Sequence, residues 1–439
     1  MKRMIEAQLE DWRQASPRKP LIVRGARQVG KTWTIRQFGR ERFRGTASID
    51  FERDVAARAI FNGSLAADGV LRQIEAFTGV PLSVGDTLLF LDEIQAAPRA
   101  IAALRYLYEE RPDVPVIAAG SALEFALGDV SFPVGRVTFA WMRPMTFREF
   151  LEASGLERLA GALPRLDAPY TGSAAVHARI VDELHKYLIV GGMPEAVARF
   201  LDSGSFEAAA SAHSDLALSL SDSLVKYRAR VDFESVAHVF RALPRLVGSP
   251  VRYTHLDPDR RIETTKTSVR ALARALLHHP VHAVDAHAIP LGSGVHEKRF
   301  KSLFLDVGLM QHLRGTSARE VLAARDLSAL HRGAVAEQFV GQELLAAGGS
   351  ENGEVFHWSR AGEGGNAEVD YLLARDGKVY PVEVKSGAAG RLRSLHRFLA
   401  EHPGSPIGVA FSPTAAEKRL DGRVLFVPIY TQITGTPVP

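Results

Sequence analysis

Cysteine is absent from this 439-residue sequence. That excludes disulfides, thiolate metal ligands and redox chemistry carried by sulfur. Long apolar runs are also missing: no stretch approaches the roughly 18 residues that a membrane-spanning helix requires. The opening residues, Met1-Lys2-Arg3-Met4-Ile5-Glu6, lack the apolar core of a secretory signal. Together these absences predict a cytoplasmic location and no membrane partner. An excess of one charge sign is nearly absent as well. Lys and Arg number 54 against 50 Asp and Glu, a net +4. So small a surplus permits nucleic-acid binding without demanding it.

What remains is an ordinary globular composition, 46% apolar and 24% charged, able to bury sizeable cores. The length predicts two or three domains. Short apolar runs at Pro20–Val23, Thr87–Leu91 and Val114–Ala119 alternate with helical patterns, which predicts a parallel sheet buried on both faces. From about 145 to 275 the pattern turns helical, with apolar residues three and four apart over 147–151, 175–190, 205–227 and 267–277. Gly191-Gly192-Met193-Pro194 punctuates that region, and 265–290 has the outline of a helix with a two-stranded wing. Strand-like runs return at Lys301–Asp306, Glu368–Leu373 and Lys378–Lys385, with a helix expected over 333–347. Asp376-Gly377 between the last two strands is a hairpin signal, and 361–366 a Gly-rich loop.

Gly25-Ala26-Arg27-Gln28-Val29-Gly30-Lys31-Thr32 fits G-x-x-x-x-G-K-[ST] at every fixed position, between an apolar strand and a helix-forming stretch. The glycines let the backbone curl until successive N–H groups point at phosphates, and the following helix adds its positive end. Lys31 is expected to reach the β- and γ-phosphates of ATP, and the Thr32 hydroxyl to ligate Mg²⁺. Leu88–Leu91 runs into Asp92 and Glu93. Asp92 would serve the Mg²⁺ shell, and Glu93 would polarise the attacking water as general base. Taken alone, two carboxylates at a strand end are equally well helix caps. Ser121, after Ile117–Gly120, is the expected sensor beside the γ-phosphate. Arg136 is the candidate arginine acting on a neighbouring subunit's ATP, with a plain surface role as its alternative.

These pieces resemble the bacterial and archaeal AAA-type (AAA+, P-loop) ATPases that carry a C-terminal domain of unknown function. The resemblance rests on the Gly25–Thr32 loop, Leu91-Asp92-Glu93-Ile94-Gln95, Gly120-Ser121, Gly135-Arg136, Pro144–Phe150 and Gly191–Pro194. Phe304–Leu309, Gly333–Glu337, Glu368-Val369-Asp370 and Val382–Lys385 extend it over nearly the whole chain. It implies an α/β protein with an AAA+ core over 1–150, a helical lid over 151–230 and a winged-helix-like segment over 231–295. A C-terminal restriction-endonuclease-like domain over 296–439 completes it.

Within that last domain Glu337, Asp370, Glu383 and Lys385 fit the PD-(D/E)xK nuclease arrangement. Asp370 and Glu383 would sit on adjacent hairpin strands and, with Glu337 from the preceding helix, hold a divalent metal. Lys385, two residues past Glu383 and so on the same strand face, would orient a water. Val369-Asp370 departs from the nominal Pro-Asp, which places cleavage in doubt. His278, His279, His282, Asp285 and His287 have metal-like spacing but read better as a solvated or nucleic-acid-facing patch. Trp358 reads as core rather than as a base-stacking platform. The expected activity is Mg·ATP hydrolysis by a ring oligomer, a hexamer for instance, acting on branched or single-stranded DNA. An ATP-regulated nuclease and a nucleotide-dependent switch without DNA are the alternatives.

Overall fold

The structure, a computed structural model, describes residues 1–438 except 83–85, 122–131, 225–231, 288, 324–332, 349–353, 361–366, 386–391 and 416. The expected Gly-rich loop at 361–366, and the end of the helix expected over 205–227, lie outside the described residues. Two compact units emerge: Met1–Arg143 with Arg274–Leu276, and Pro144–Ala273 with Leu277–Pro439.

The first unit runs α1 (Ile5–Gln14), β1 (Leu21–Arg24), α2 (Lys31–Arg42), β2 (Gly45–Asp50), α3 (Ala67–Thr78), β3 (Thr87–Asp92), α4 (Pro98–Glu110), β4 (Val116–Gly120) and β5 (Thr138–Trp141). The five strands pair in the order β2-β3-β4-β1-β5, and every pairing is parallel. All six residues of β3 are buried, as a continuous apolar run flanked by helices requires. Leu89 and Leu91 of β3 join Val70 and Ile74 of α3 and Ile101 and Leu104 of α4 in one core. Burial of each such side chain stabilises the fold by about 1.5–3 kcal/mol. Register then decides where the chemistry sits. Arg24 pairs with Gly120, and Leu91 with Ala118, so the residues that leave β1, β3 and β4 emerge at the same edge. That carboxyl edge is where ligands bind in such sheets.

The second unit begins with α5 (Phe147–Ala153), α6 (Ala174–Val190), α7 (Pro194–Ser203), α8 (Phe206–Ser223), α9 (Phe233–Leu246) and α10 (Ile262–Arg274). Helix α10 starts five residues before the expected Thr267. It stops short of Leu277 because Leu276 turns left-handed (φ 60°) and the Leu277 N–H returns to the Leu272 carbonyl. Strands β6 (His278–Val284) and β7 (Val295–Phe304) follow, then α11 (Val307–Arg314) and α12 (Ala334–Ala346). The remainder is β8 (Phe356–Arg360), β9 (Ala367–Arg375), β10 (Lys378–Val384), α13 (Arg393–Glu401), β11 (Gly408–Ser412), β12 (Arg419–Asp421) and β13 (Val424–Pro428). All eight strands form one mixed sheet, β12-β13-β11-β10-β9-β8-β6-β7. Of the wing expected within 265–290 only β6 forms a strand among the described residues; its antiparallel partner β7 begins at Val295, and the two are the end of this sheet. Asp376 and Gly377 both take positive φ and close the β9–β10 hairpin as expected.

Four segments of this unit interlock through buried side-chain-to-backbone bonds. Asp306, fully buried, accepts from the backbone N–H of Leu309 at 2.9 Å and of Gly192 at 2.6 Å. The Gly192 carbonyl accepts from the Met145 N–H at 2.7 Å, and the Tyr187 hydroxyl donates to the Met145 carbonyl at 2.6 Å. Gln342 of α12 donates to Tyr187 Oη and accepts from the Val307 N–H. Glu343 accepts from the Phe147 N–H, just inside the Thr146–Glu149 capping box. A Cβ on Gly192 would lie 2.0 Å from the Met145 carbonyl oxygen, so only glycine permits this approach.

Candidate functional site

At the carboxyl edge of the first sheet the loop between β1 and α2 is built from strained backbone. Gly30 sits at φ 95° and Gln28 at φ 64°, and a Cβ on Gly25 would meet the Met142 carbonyl oxygen at 2.4 Å. Ala26 and Val29 are buried and anchor the loop. Lys31 opens α2 and is buried, its ammonium donating to the Gly25 carbonyl at 3.0 Å and the Ala26 carbonyl at 2.8 Å. Burial pulls its pKa down to about 8, against the attraction of Glu93 and Asp92, with Arg27 adding repulsion. A buried ammonium answered mainly by carbonyl dipoles gains from an anion, which suits it to phosphate.

The Thr32 hydroxyl donates to Asp92 Oδ2 at 2.7 Å, which joins the loop to the end of β3. Burial raises the Asp92 pKa, and the Thr32 bond opposes that shift. A hydroxyl and a carboxylate side by side are hard oxygen donors of the kind Mg²⁺ takes. Glu93 follows in a left-handed conformation (φ 48°, ψ 44°) that turns its side chain off the strand. Such backbone costs a non-glycine residue on the order of 1 kcal/mol and concentrates at functional sites. Gln95 donates through Nε2 to Glu93 Oε2 and so fixes the carboxylate's orientation. Ser121, 2% exposed, lies just past β4, and its hydroxyl accepts from Arg27 Nε at 3.4 Å. Arg27 also reaches Glu52 Oε1 at 3.2 Å. Lys31, Thr32, Asp92, Glu93, Ser121 and Arg27 are therefore brought to one edge.

Arg136 is not among them. Thr138 pairs with Leu21, so Arg136 lies beyond the opposite, amino end of β5. That is on the order of 15 Å from the loop along the strand direction. Its guanidinium is 44% exposed and pairs with Glu109 of α4 at 2.9 Å.

In the second unit the sequence-chosen carboxylates do gather, but around an ammonium. Lys301 of β7, 3% exposed, pairs with Glu337 of α12, with Glu368 of β9 at 2.8 Å and with Asp370 of β9 at 3.3 Å. Burial pulls its pKa down, but Glu337, Asp370 and Glu368 together outweigh burial and raise it well above the ordinary lysine value. Burial likewise raises Glu337 and Glu383 well above the usual carboxylate range. The Val384 N–H donates to Asp370 Oδ2 at 2.8 Å, while Glu383 Oε2 finds no partner among the described residues. Lys385 lies over the Phe426 ring, 5.5 Å from its centroid. Among the described residues no three His, Asp or Glu side chains are arranged to hold a metal. The donor set expected for a second cation is engaged by Lys301 instead, so a metal does not fit there.

The histidine run also resolves into local roles. His278 is buried between the Val269 carbonyl and Ser302, His282 packs on Phe300, and His287 stacks on His402. Asp285 pairs with His296. Trp358 is buried edge-on against Phe398, as core.

Residues 17–151 match the family described as "AAA domain". Residues 181–320 match "Domain of unknown function (DUF8612)" and 332–431 match "Domain of unknown function (DUF4143)". No curated protein matches the chain. Among solved structures the chain is similar to the Walker-type ATPase PABY2304 of Pyrococcus abyssi. Identity there is 16%, covering 71% of this chain and 95% of that one, with a TM-score of 0.45. It is also similar to the Aeropyrum pernix ORC1 protein in complex with DNA (13%; 72% and 93%; TM-score 0.31). The Thermotoga maritima RuvB Holliday junction branch migration motor is a further likeness (15%; 62% and 87%; TM-score 0.31).

Two residues of the first unit escaped the sequence reading. Arg3 of the amino-terminal segment is buried and donates to the Val29 carbonyl at 2.8 Å and the Arg143 carbonyl at 2.7 Å. It thereby braces the phosphate loop against the end of β5, and no motif marks it. Arg27 was legible only as a filler position of the loop, not as the link to Ser121 and Glu52. In the second unit Lys301 left a signal, a charged residue just ahead of the apolar run Leu303-Phe304-Leu305.

Proposed function

We propose that this chain binds Mg·ATP through its AAA domain and hydrolyses it. The observation that carries the reading is the Thr32–Asp92 contact beside the buried Lys31, which unites loop and β3 carboxylate in one anion- and cation-holding site. Loop N–H groups and Lys31 would bind the phosphates, and Thr32 and Asp92 would hold Mg²⁺. When bound, the ion would neutralise charge building on the transferred phosphoryl group. Glu93, oriented by Gln95, would accept the proton of the attacking water. Ser121, held by Arg27, would orient that water or the terminal phosphate.

The reading extends to a ring oligomer acting on branched or single-stranded DNA in the cytoplasm. An exposed guanidinium remote from its own phosphate loop supports Arg136 as a donor to a neighbouring subunit's nucleotide. Steady-state ATP hydrolysis with single-stranded, duplex and forked DNA at two salt concentrations tests the extension. Stimulation that shrinks with salt is expected, and indifference to every DNA would replace DNA by a protein partner or a switch. For the core, Glu93→Gln should keep ATP binding and lose turnover by a factor of about 100 or more. Ordinary turnover in that variant would remove Glu93 from its role.

A further inference from the structure

The carboxylates of the second unit carry more negative charge than one lysine answers. Glu337, Glu368 and Asp370 all approach Lys301 Nζ, and Glu383 stands beside Asp370 on the neighbouring strand. His357 of β8 adds an independent sign. It is 2% exposed, and among the described residues neither ring nitrogen has a hydrogen-bond partner. Trp358 pairs with Val369, and both belong to the core that includes Phe398 of α13. Side chains alternate along a strand, so His357 faces the other way, to the side that carries Glu368 and Asp370. Lys301 and His357 interact electrostatically, consistent with that placement. Oxygen donors from β9 and α12 thus converge on one tethered ammonium, and Glu383 of β10 and His357 of β8 lie near enough to interact with it electrostatically.

We propose that Lys301 is a built-in cation that closes a latent divalent-metal site formed by Glu337, Asp370 and Glu383, with Glu368 and His357 beside them. The ammonium balances part of the carboxylate charge that an ion would otherwise balance. Because it is covalently tethered, it competes at an effective concentration that millimolar Mg²⁺ or Mn²⁺ does not match. The wild-type domain is therefore metal-free at this point and lacks a metal-generated nucleophile.

Mn²⁺ titration of the full chain followed by electron paramagnetic resonance reads this directly, without any activity. The site is counted as the Mn²⁺ lost when Asp370→Asn is added to a given background, which separates it from Mn²⁺ at the AAA domain. Wild type and Lys301→Arg should show no such ion. Lys301→Met keeps the aliphatic stem and should gain about one Mn²⁺ per chain. Should the uncompensated charge prevent folding, Lys301→Met with Glu368→Gln carries the same readout with one fewer negative charge. An Asp370-dependent Mn²⁺ in the wild type would overturn the proposal. So would a folded Lys301→Met, or its double variant, that binds no more Mn²⁺ than wild type.

Discussion

ATP binding should draw a proton from solution at alkaline pH, and Lys31 should be its destination. Burial holds the free Lys31 ammonium at about pKa 8. Phosphate oxygens against it would restore a value near the ordinary 10.4 or above. The bound state then holds more protons than the free state between these two values, so affinity falls as pH rises through that window and is unaffected well below it. The expected uptake is about 0.1 proton at pH 7, about 0.5 at pH 8 and about 0.9 at pH 9. Over the same two pH units Kd should rise about tenfold, which is about 1.4 kcal/mol. The terminal phosphate of ATP ionises near pH 6 and does not interfere above pH 8. Isothermal titration calorimetry in two buffers of widely different ionisation enthalpy gives the proton number directly. Lys31→Met should bind more weakly and take up no proton in this range. Absence of uptake at pH 8–9, or equal uptake in Lys31→Met, would refute the placement of Lys31 against phosphate.

Two further outcomes are expected. Gly192→Ala forces a Cβ to within 2.0 Å of the Met145 carbonyl and should break the Met145–Gly192 hydrogen bond, costing about 3 kcal/mol or more by urea unfolding. Gly204→Ala, at φ 69° with nothing within 4 Å, should cost only about 1 kcal/mol; equal losses would contradict the close approach. Arg136→Ala should lose ATP turnover by roughly a thousandfold while keeping nucleotide affinity. Mixing it with Glu93→Gln subunits should restore activity, and no recovery at any ratio would count against a role between subunits.

The phosphate loop was legible because each of its parts is a local requirement. Gly30 must take a positive φ, Lys31 must follow it, and Leu88–Asp92 must be apolar on both faces up to one terminal carboxylate. The hairpin at Asp376-Gly377 was legible for the same reason. Long-range partners were not. Nothing local ties Arg3 to Val29, or Lys301 to carboxylates 36 to 69 positions further along, because such pairs follow from tertiary packing. The expected wing over 265–290 illustrates the same gap. Its second strand, β7, lies beyond that range, and the pairing of β6 with both β7 and β8 makes it part of a larger sheet. The Gly191–Pro194 punctuation is local, but its causes are the close approaches to Met145 and to Asp306, the latter more than a hundred residues on.

The interlock around Asp306 has a consequence for the order in which the molecule is made. The five parallel strands of the first unit are all present once residue 143 has been synthesised, so this sheet can close while translation continues. The helices from Phe147 to Val190 cannot complete their buried polar contacts at that stage. Their partners, Asp306, Gln342 and Glu343, are added more than a hundred residues later. Until then the Gly192 and Phe147 N–H groups lack their carboxylate partners, and the Tyr187 hydroxyl lacks its donor Gln342. A ribosome stalled between residues 200 and 300 would therefore display a sheet already able to close and, behind it, helices whose carboxylate and amide partners have yet to be made.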